Sequence, residues 1–391
     1  MKSHFCRILK ITVCTFLILG MTGCWNSREL DTLSILMGMG LDKPGEPDQV
    51  QLTAQIAKPA EIKASIKESG ANSGLAYLNI KSTSDTVFDA LRGFTHMISR
   101  KVYLPHNQVI IFGRELAEEG VQKYIDFFVR DPETRINVWV MVAGGTAGEV
   151  LDVKSDFEKI PARNIADMIE AQKATSQTRA VRLIDFLASL MTKTTAPVAP
   201  LVQIIEEGEK KLLHISGTAV FKRDKLVGQL DETETRGLLW VVGEVKSGII
   251  KVKCPEDTGK VSLEIIRASG KFTPVIKDGK PYFKIEIKEE GNLGAQSCPG
   301  NLALPSKIDF LVKEKAEAIK GEVMAAFKKA RELNADIFGF GEAVHQRYPD
   351  IWKELEDKWD EVFPELKIEV NVNARLDLTG QINEPAGQEQ E

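Results

Sequence analysis

Cysteine, histidine and long apolar runs are scarce in this chain, and each scarcity excludes a class of chemistry. Of 391 residues, five are cysteine and five histidine. Cys6 and Cys14 fall in an N-terminal leader that ends at Cys24, which leaves Cys254 and Cys298. Two cysteines with no histidine at ligand spacing do not make a zinc site, so no metal is expected. Outside the cytoplasm Cys254 and Cys298 can join as a disulfide; the alternative is two separate, reduced thiols. His96, His106, His214 and His345 have no mutual spacing that suggests a triad or a metal, and read as structural hydrogen-bonders. There is no G-x-S-x-G elbow, no H-E-x-x-H and no P-loop lysine. Gly38-Met39-Gly40 lacks the third glycine of a dinucleotide fingerprint. Gly144-Gly145-Thr146 could cradle an anion with backbone N–H groups, but a plain helix entry accounts for it. Glu206 with Glu207, and Asp231 with Glu234, are close in sequence, which does not fix the roughly 5–9.5 Å carboxyl separation of glycoside hydrolysis. Capping and solvation account for both pairs. No catalytic residue and no cofactor is expected.

The one notable apolar run, Ile11 to Leu19, follows a basic start at Lys2, Arg7 and Lys10. Its length suits the core of a secretory leader, roughly 7–15 residues. A membrane span needs about 20. The run leads to Met21-Thr22-Gly23-Cys24, small residues before a thiol, the pattern at which a bacterial lipoprotein is cleaved and acylated. Residues 1–23 are therefore expected to be a signal peptide and Cys24 the lipidated first residue of the mature chain, carrying N-palmitoyl and S-diacylglycerol groups. Losing the three leader cations takes the net charge from −5 to −8. Such an acidic body does not bind nucleic acid or anionic lipid through bulk charge. Attachment to the membrane is expected from the acyl chains, at about 0.8 kcal/mol per buried methylene. Trp25 either sits at the headgroup level or packs into the first domain.

Beyond the anchor, 43% hydrophobic and 27% charged residues are ordinary for a folded body. Leu33–Leu41 and the alternating Val50, Leu52, Ala54 and Ile56 read as a hairpin, and residues 58–74 as a mobile loop. Ser84 or Asp85 is placed to cap a helix through Val87, Phe88, Leu91 and Phe94. A strand over 108–112, a helix over 115–129 and an alternating strand over 136–142 follow. Pro161 opens a further helix, and 181–190 form another. Pro197 and Pro200 read as a linker, after which the pattern turns β-rich. Lys277-Asp278-Gly279-Lys280 is a hairpin turn. Pro305 starts a long amphipathic helix with Ile308, Leu311, Val312, Ile319, Val323 and Phe327 in one stripe. A second helix over 352–363 is stopped by Pro364, and Ile368, Val370 and Val372 make the last strand. The fold class is α+β, an elongated body of about three domains. Residues 24–198 form an N-terminal α+β domain, 199–290 a β-rich middle domain and 291–380 a helical/β domain. Residues 381–391 are a disordered tail.

Four blocks carry a resemblance. They are Gly23-Cys24-Trp25-Asn26-Ser27-Arg28-Glu29-Leu30; His106 to Gly113 running on to Asp131; Gly217-Thr218-Ala219-Val220-Phe221 with Lys225 to Leu230 and Glu234-Thr235; and Ala335-Asp336-Ile337-Phe338-Gly339-Phe340-Gly341 with Trp352 and Trp359. Together these resemble the Ger(x)C family of spore germination lipoproteins, the C subunits of nutrient germinant receptors. Met21 and Asn26 depart from the family pattern, which usually has Leu and Asp there. The resemblance implies a three-domain body tethered by a lipid anchor to the outer face of the spore inner membrane. It also implies A-type and B-type membrane subunits as partners, and no catalysis. Only Cys24 carries over as a functional residue, and no small-molecule site is implied. The expected function is a lipid-anchored, non-enzymatic receptor subunit acting in nutrient-triggered germination. The alternative is an extracytoplasmic solute-binding lipoprotein of a transporter. That class closes two α/β lobes around a ligand, and the β-rich middle and long C-terminal helices argue against it. An envelope hydrolase would need a buried carboxylate pair or a histidine triad.

Overall fold

A computed structural model describes residues 32–46, 48–62, 74–255, 259–298, 300–302 and 304–378, and, in the leader, His4 and Thr12. Cys24, Trp25 and residues 381–391 lie outside the described residues, as do 63–73 of the expected loop.

Strands β1 (Leu33–Asp42) and β2 (Val50–Ala57) pair antiparallel, and β3 (Tyr77–Ser84) adds to β2. Helix α1 (Val87–Gly93) and the short β4 (Lys101–Tyr103) lead to β5 (Val109–Phe112), which lies parallel to β1. Helices α2 (Arg114–Glu119) and α3 (Gln122–Arg130) cross over to β6 (Trp139–Ala143), parallel to β5. Helices α4 (Ala147–Asp152), α5 (Pro161–Ala171) and α6 (Leu183–Met191) precede β7 (Val198–Glu207), again parallel. Strands β8 (Lys210–Lys222) and β9 (Lys225–Leu230) close the sheet antiparallel, in the order β3-β2-β1-β5-β6-β7-β8-β9. Every residue of β5 and β6 is buried, as strands covered on both faces require.

Helix α7 (Glu232–Val242) leads to a second sheet of β10 (Gly248–Lys253), β11 (Lys260–Lys277), β12 (Lys280–Gln296) and, after the helices, β13. Asp278 and Gly279 turn the β11–β12 hairpin with positive φ at both, 53° and 74°, the turn whose twist matches the flanking strands. The long α8 (Pro305–Glu332) is followed by α9 (Phe340–Arg347), α10 (Pro349–Leu355), α11 (Trp359–Val362) and β13 (Lys367–Leu378), parallel to β12. The fold class is mixed α+β. One apolar core runs from Leu36 and Phe112 through Phe186, Phe221 and Trp240 to Phe283, Ile319 and Phe340. A second lies under α4 and α5, around Ile111, Met141, Leu151 and Ile165.

Several local expectations are corrected. Thr86, not Ser84 or Asp85, caps α1, accepting from Asp89 N at 3.1 Å. The single helix over 115–129 is two, broken at Gly120 with φ +129°, where a side chain would also meet Asp224 Oδ2 at 2.5 Å. Pro197 and Pro200 are no linker, since Pro200 lies inside β7, paired with Thr218. The strands β7–β9, assigned from sequence to the middle segment, are hydrogen-bonded onto the N-terminal sheet. Residues 352–363 form two short helices joined by a 3-10 turn.

Candidate functional site

The glycine-rich helix entry is where backbone donors converge, and the chain fills it with its own carboxylate. Asp42, at the end of β1, accepts from Ala147 N (2.7 Å) and Gly148 N (2.9 Å). Thr146 Oγ1 takes Glu149 N at 3.3 Å. Burial pushes the Asp42 carboxyl up, and the two backbone donors pull it back. The room for this carboxylate comes from Gly113, where a Cβ would strike Asp42 Oδ1. Gly38 and Gly40 serve packing: their Cβ atoms would meet Ala162 Cβ at 2.6 Å and Ala147 Cβ at 3.0 Å. Gln55 completes the clamp, accepting from Ala162 N and donating to Leu151 O, both at 2.8 Å. The anion seat therefore holds α4 and α5 against the sheet.

The third and fourth sequence blocks are likewise occupied by the fold. Gly217 adopts φ +76° against Leu230 O, and Thr235 Oγ1 donates to Thr218 Oγ1 at 3.1 Å. Asp231 and Glu234 form a reciprocal capping box on α7. The buried Asp336 takes four donors. Its Oδ1 accepts from Gly339 N (3.0 Å) and Phe340 N (3.1 Å), and its Oδ2 from Gly341 N (2.7 Å) and Trp359 Nε1 (3.2 Å). Burial pushes its pKa up to about 6 against the pull of these donors. Its backbone carbonyl accepts from Ala196 N at 2.8 Å, tying the loop to the approach of β7.

Two buried ion pairs were missed by the sequence reading. Arg236 grips Glu322 with two nitrogens, and Trp240 Nε1 donates to Glu322 Oε2 at 2.8 Å, locking α7 to α8. Lys315 Nζ lies 2.6 Å from Glu289 Oε1, with both side chains fully buried. Burial pushes Glu289 up to about 7 and Lys315 down, while their mutual contact opposes both shifts.

The histidines stay apart. His106 packs by Tyr103, His214 Nε2 is 3.9 Å from Glu232, and His345 stacks on Trp352. No group of three potential metal ligands exists among the described residues, and no described helix is long and apolar enough to cross a membrane. Cys254 and Cys298 are joined as a disulfide, Cα atoms 5.9 Å apart, across the open ends of the β11–β12 hairpin. An open groove of about 750 Å³ between α5 and the β7–β8 hairpin is lined by Met168, Ile204 and Leu213, with Asp156 bridged to Lys210 at 2.9 Å.

Two family models match in sequence order. Residues 26–204 match "Spore germination protein N-terminal domain" and 216–380 match "Spore germination B3/GerAC like, C-terminal". Spore germination protein KC of Bacillus subtilis (strain 168) is 27% identical, with 94% of this chain and 95% of that protein covered. Spore germination protein A3 of the same organism is 28% identical, with 94% and 96% covered. The crystal structure of the GerBC protein superposes with a TM-score of 0.56 at 21% identity, over 86% of this chain and 97% of that one, which shows the shared fold. The chain belongs to the Ger(x)C family of spore germination proteins.

Proposed function

We propose that this protein is the lipid-anchored, non-enzymatic C subunit of a spore germinant receptor. It is held by acylated Cys24 on the outer face of the spore inner membrane and assembles there with the A-type and B-type membrane subunits. The observation that carries this reading is the ordered match of both family models across residues 26–380. Three features support it. Asp42, Asp336, Glu322 and Glu289, the buried carboxylates a hydrolase would use, are engaged by backbone donors or cations. The Cys254–Cys298 disulfide fits an oxidising compartment. Tethering raises the concentration of the body near membrane partners, so contact alone can act without chemistry.

The anchor is tested by mass spectrometry of the mature N-terminus and by fractionating a Cys24→Ala variant. Residue 24 carries the acyl mass, and the variant leaves the membrane fraction. An unmodified residue 24 with residues 1–23 still attached would refute the reading.

A further inference from the structure

We propose that the amino-terminal end of the first sheet docks directly on the bilayer, taking anionic lipid headgroups as its partner. The proposal rests on the Cys24 anchor argued above.

The described chain enters at this end. Leu33, the first residue of β1, pairs with Lys101 of β4. Lys101 binds Glu133 at 2.5 Å, which brings the α3–β6 connection alongside. Ile184 N donates to Ile136 O at 3.0 Å, adding the start of α6. Four apolar side chains on these neighbouring segments face solvent: Met97 (56% exposed), Val129 (58%), Ile136 (46%) and Ile184 (47%). Arg100 and Arg135 are exposed among them, and neither has a carboxylate within ion-pair distance among the described residues. Of the acidic groups nearby, Glu133 is engaged by Lys101, Asp126 by Arg130 and Asp131 by Glu133 N, while Asp185 beside Ile184 is exposed.

Apolar side chains interspersed with free arginines suit the headgroup–acyl boundary. Cys24 is nine residues before Leu33, so the tether spans at most about 30 Å. This end is therefore held within about 30 Å of the anchored residue, where a few weak contacts suffice to orient the body. The net acidity of the mature chain makes the local cationic face the exception, and it lies at the tethered end. The groove by Phe157 and the β7–β8 hairpin lies at the opposite, carboxyl end of the parallel strands.

The test uses the lipidated full-length protein in phosphatidylcholine vesicles with and without phosphatidylglycerol. With Cys24 acylated and Cys254–Cys298 oxidised, Met97→Cys or Phe157→Cys supplies the thiol for an environment-sensitive dye. Brominated lipid quenches the dye at position 97 and not at 157. Arg100→Glu with Arg135→Glu lowers the docked-to-undocked ratio by on the order of fivefold per arginine, with the protein still vesicle-bound. Equal, weak quenching at 97 and 157 on vesicle-bound protein overturns the docking and leaves the anchor standing. Protein that does not stay with vesicles refutes the anchor and the docking with it. Quenching or dye shifts at 97 that appear only when the A-type and B-type subunits are co-reconstituted would make this face a protein interface and overturn the lipid assignment.

Discussion

Replacing Asp336 by Asn tests the caged carboxylate in the loop that ties the two sheets together. The substitution keeps size and removes charge. The carboxylate uses one oxygen for Gly339 N and Phe340 N and the other for Gly341 N and Trp359 Nε1. An amide offers one acceptor, so whichever way it turns, two buried N–H donors face its NH₂. Each unsatisfied buried group costs about 1–3 kcal/mol. The expected loss is about 2–6 kcal/mol, a large share of the roughly 5–15 kcal/mol of a typical domain. Urea unfolding followed by tryptophan fluorescence measures it, since Trp352 and Trp359 pack 5.2 Å apart beside the loop. The midpoint should fall with the slope unchanged. The pH dependence has a defined sign. The folded pKa, about 6, lies above the ordinary 3.8. Stability linked to this group is therefore fully present below pH 3.8 and lost as pH rises through 6. Asp336→Asn should remove that slope. A midpoint shift worth less than about 0.5 kcal/mol, or an unchanged pH slope, would refute the cage.

Lys315→Met alone should destabilise by about 3–5 kcal/mol, because it leaves Glu289 buried without its cation, whereas Lys315→Met with Glu289→Met should come close to neutral; chemical denaturation of the single and double variants decides. Removing the disulfide by Cys254→Ser and Cys298→Ser should cost about 4 kcal/mol in the chain-entropy account for a closed loop of this length, since the two cysteines are 44 apart in sequence; a non-reduced peptide map and the unfolding midpoint check it. Asp42→Ala should weaken the seating of α4 by about 2–6 kcal/mol through the two orphaned N–H donors, at about 1–3 kcal/mol each, and amide exchange at Ala147 and Gly148 should accelerate.

Elements with strong periodicity were legible from sequence. The alternation through Phe283, Ile285 and Ile287 and the α8 positions Leu311, Ile319, Val323 and Phe327 lie in one core as expected, whereas Ile308 and Val312 are only half-buried. The same patterns hid a clue. Glu289 continues the inward alternation of β12, and Lys315 occupies an inward place on the α8 stripe between Leu311 and Ile319. Charged residues at inward places, they form a buried pair. The break at Gly120 and the pairing of β7 beyond Pro200 were not legible, because each is fixed by a distant partner, Asp224 in one case and Thr218 in the other. Gly144-Gly145-Thr146 was correctly placed at a helix entry, but its occupant comes from Asp42, more than a hundred residues away. The blocks behind the family resemblance, where described, largely hold strands and helices together, which is why they signal kinship.

The central claim is that this protein works by standing beside membrane partners. It is tested most directly by crosslinking in intact dormant spores, followed by purification through the C-terminal body and identification of what remains attached. The account predicts the A-type and B-type receptor subunits, recovered with wild-type protein and lost with Cys24→Ala. Recovery of this protein alone, or of a soluble partner equally well without the lipid, would contradict it.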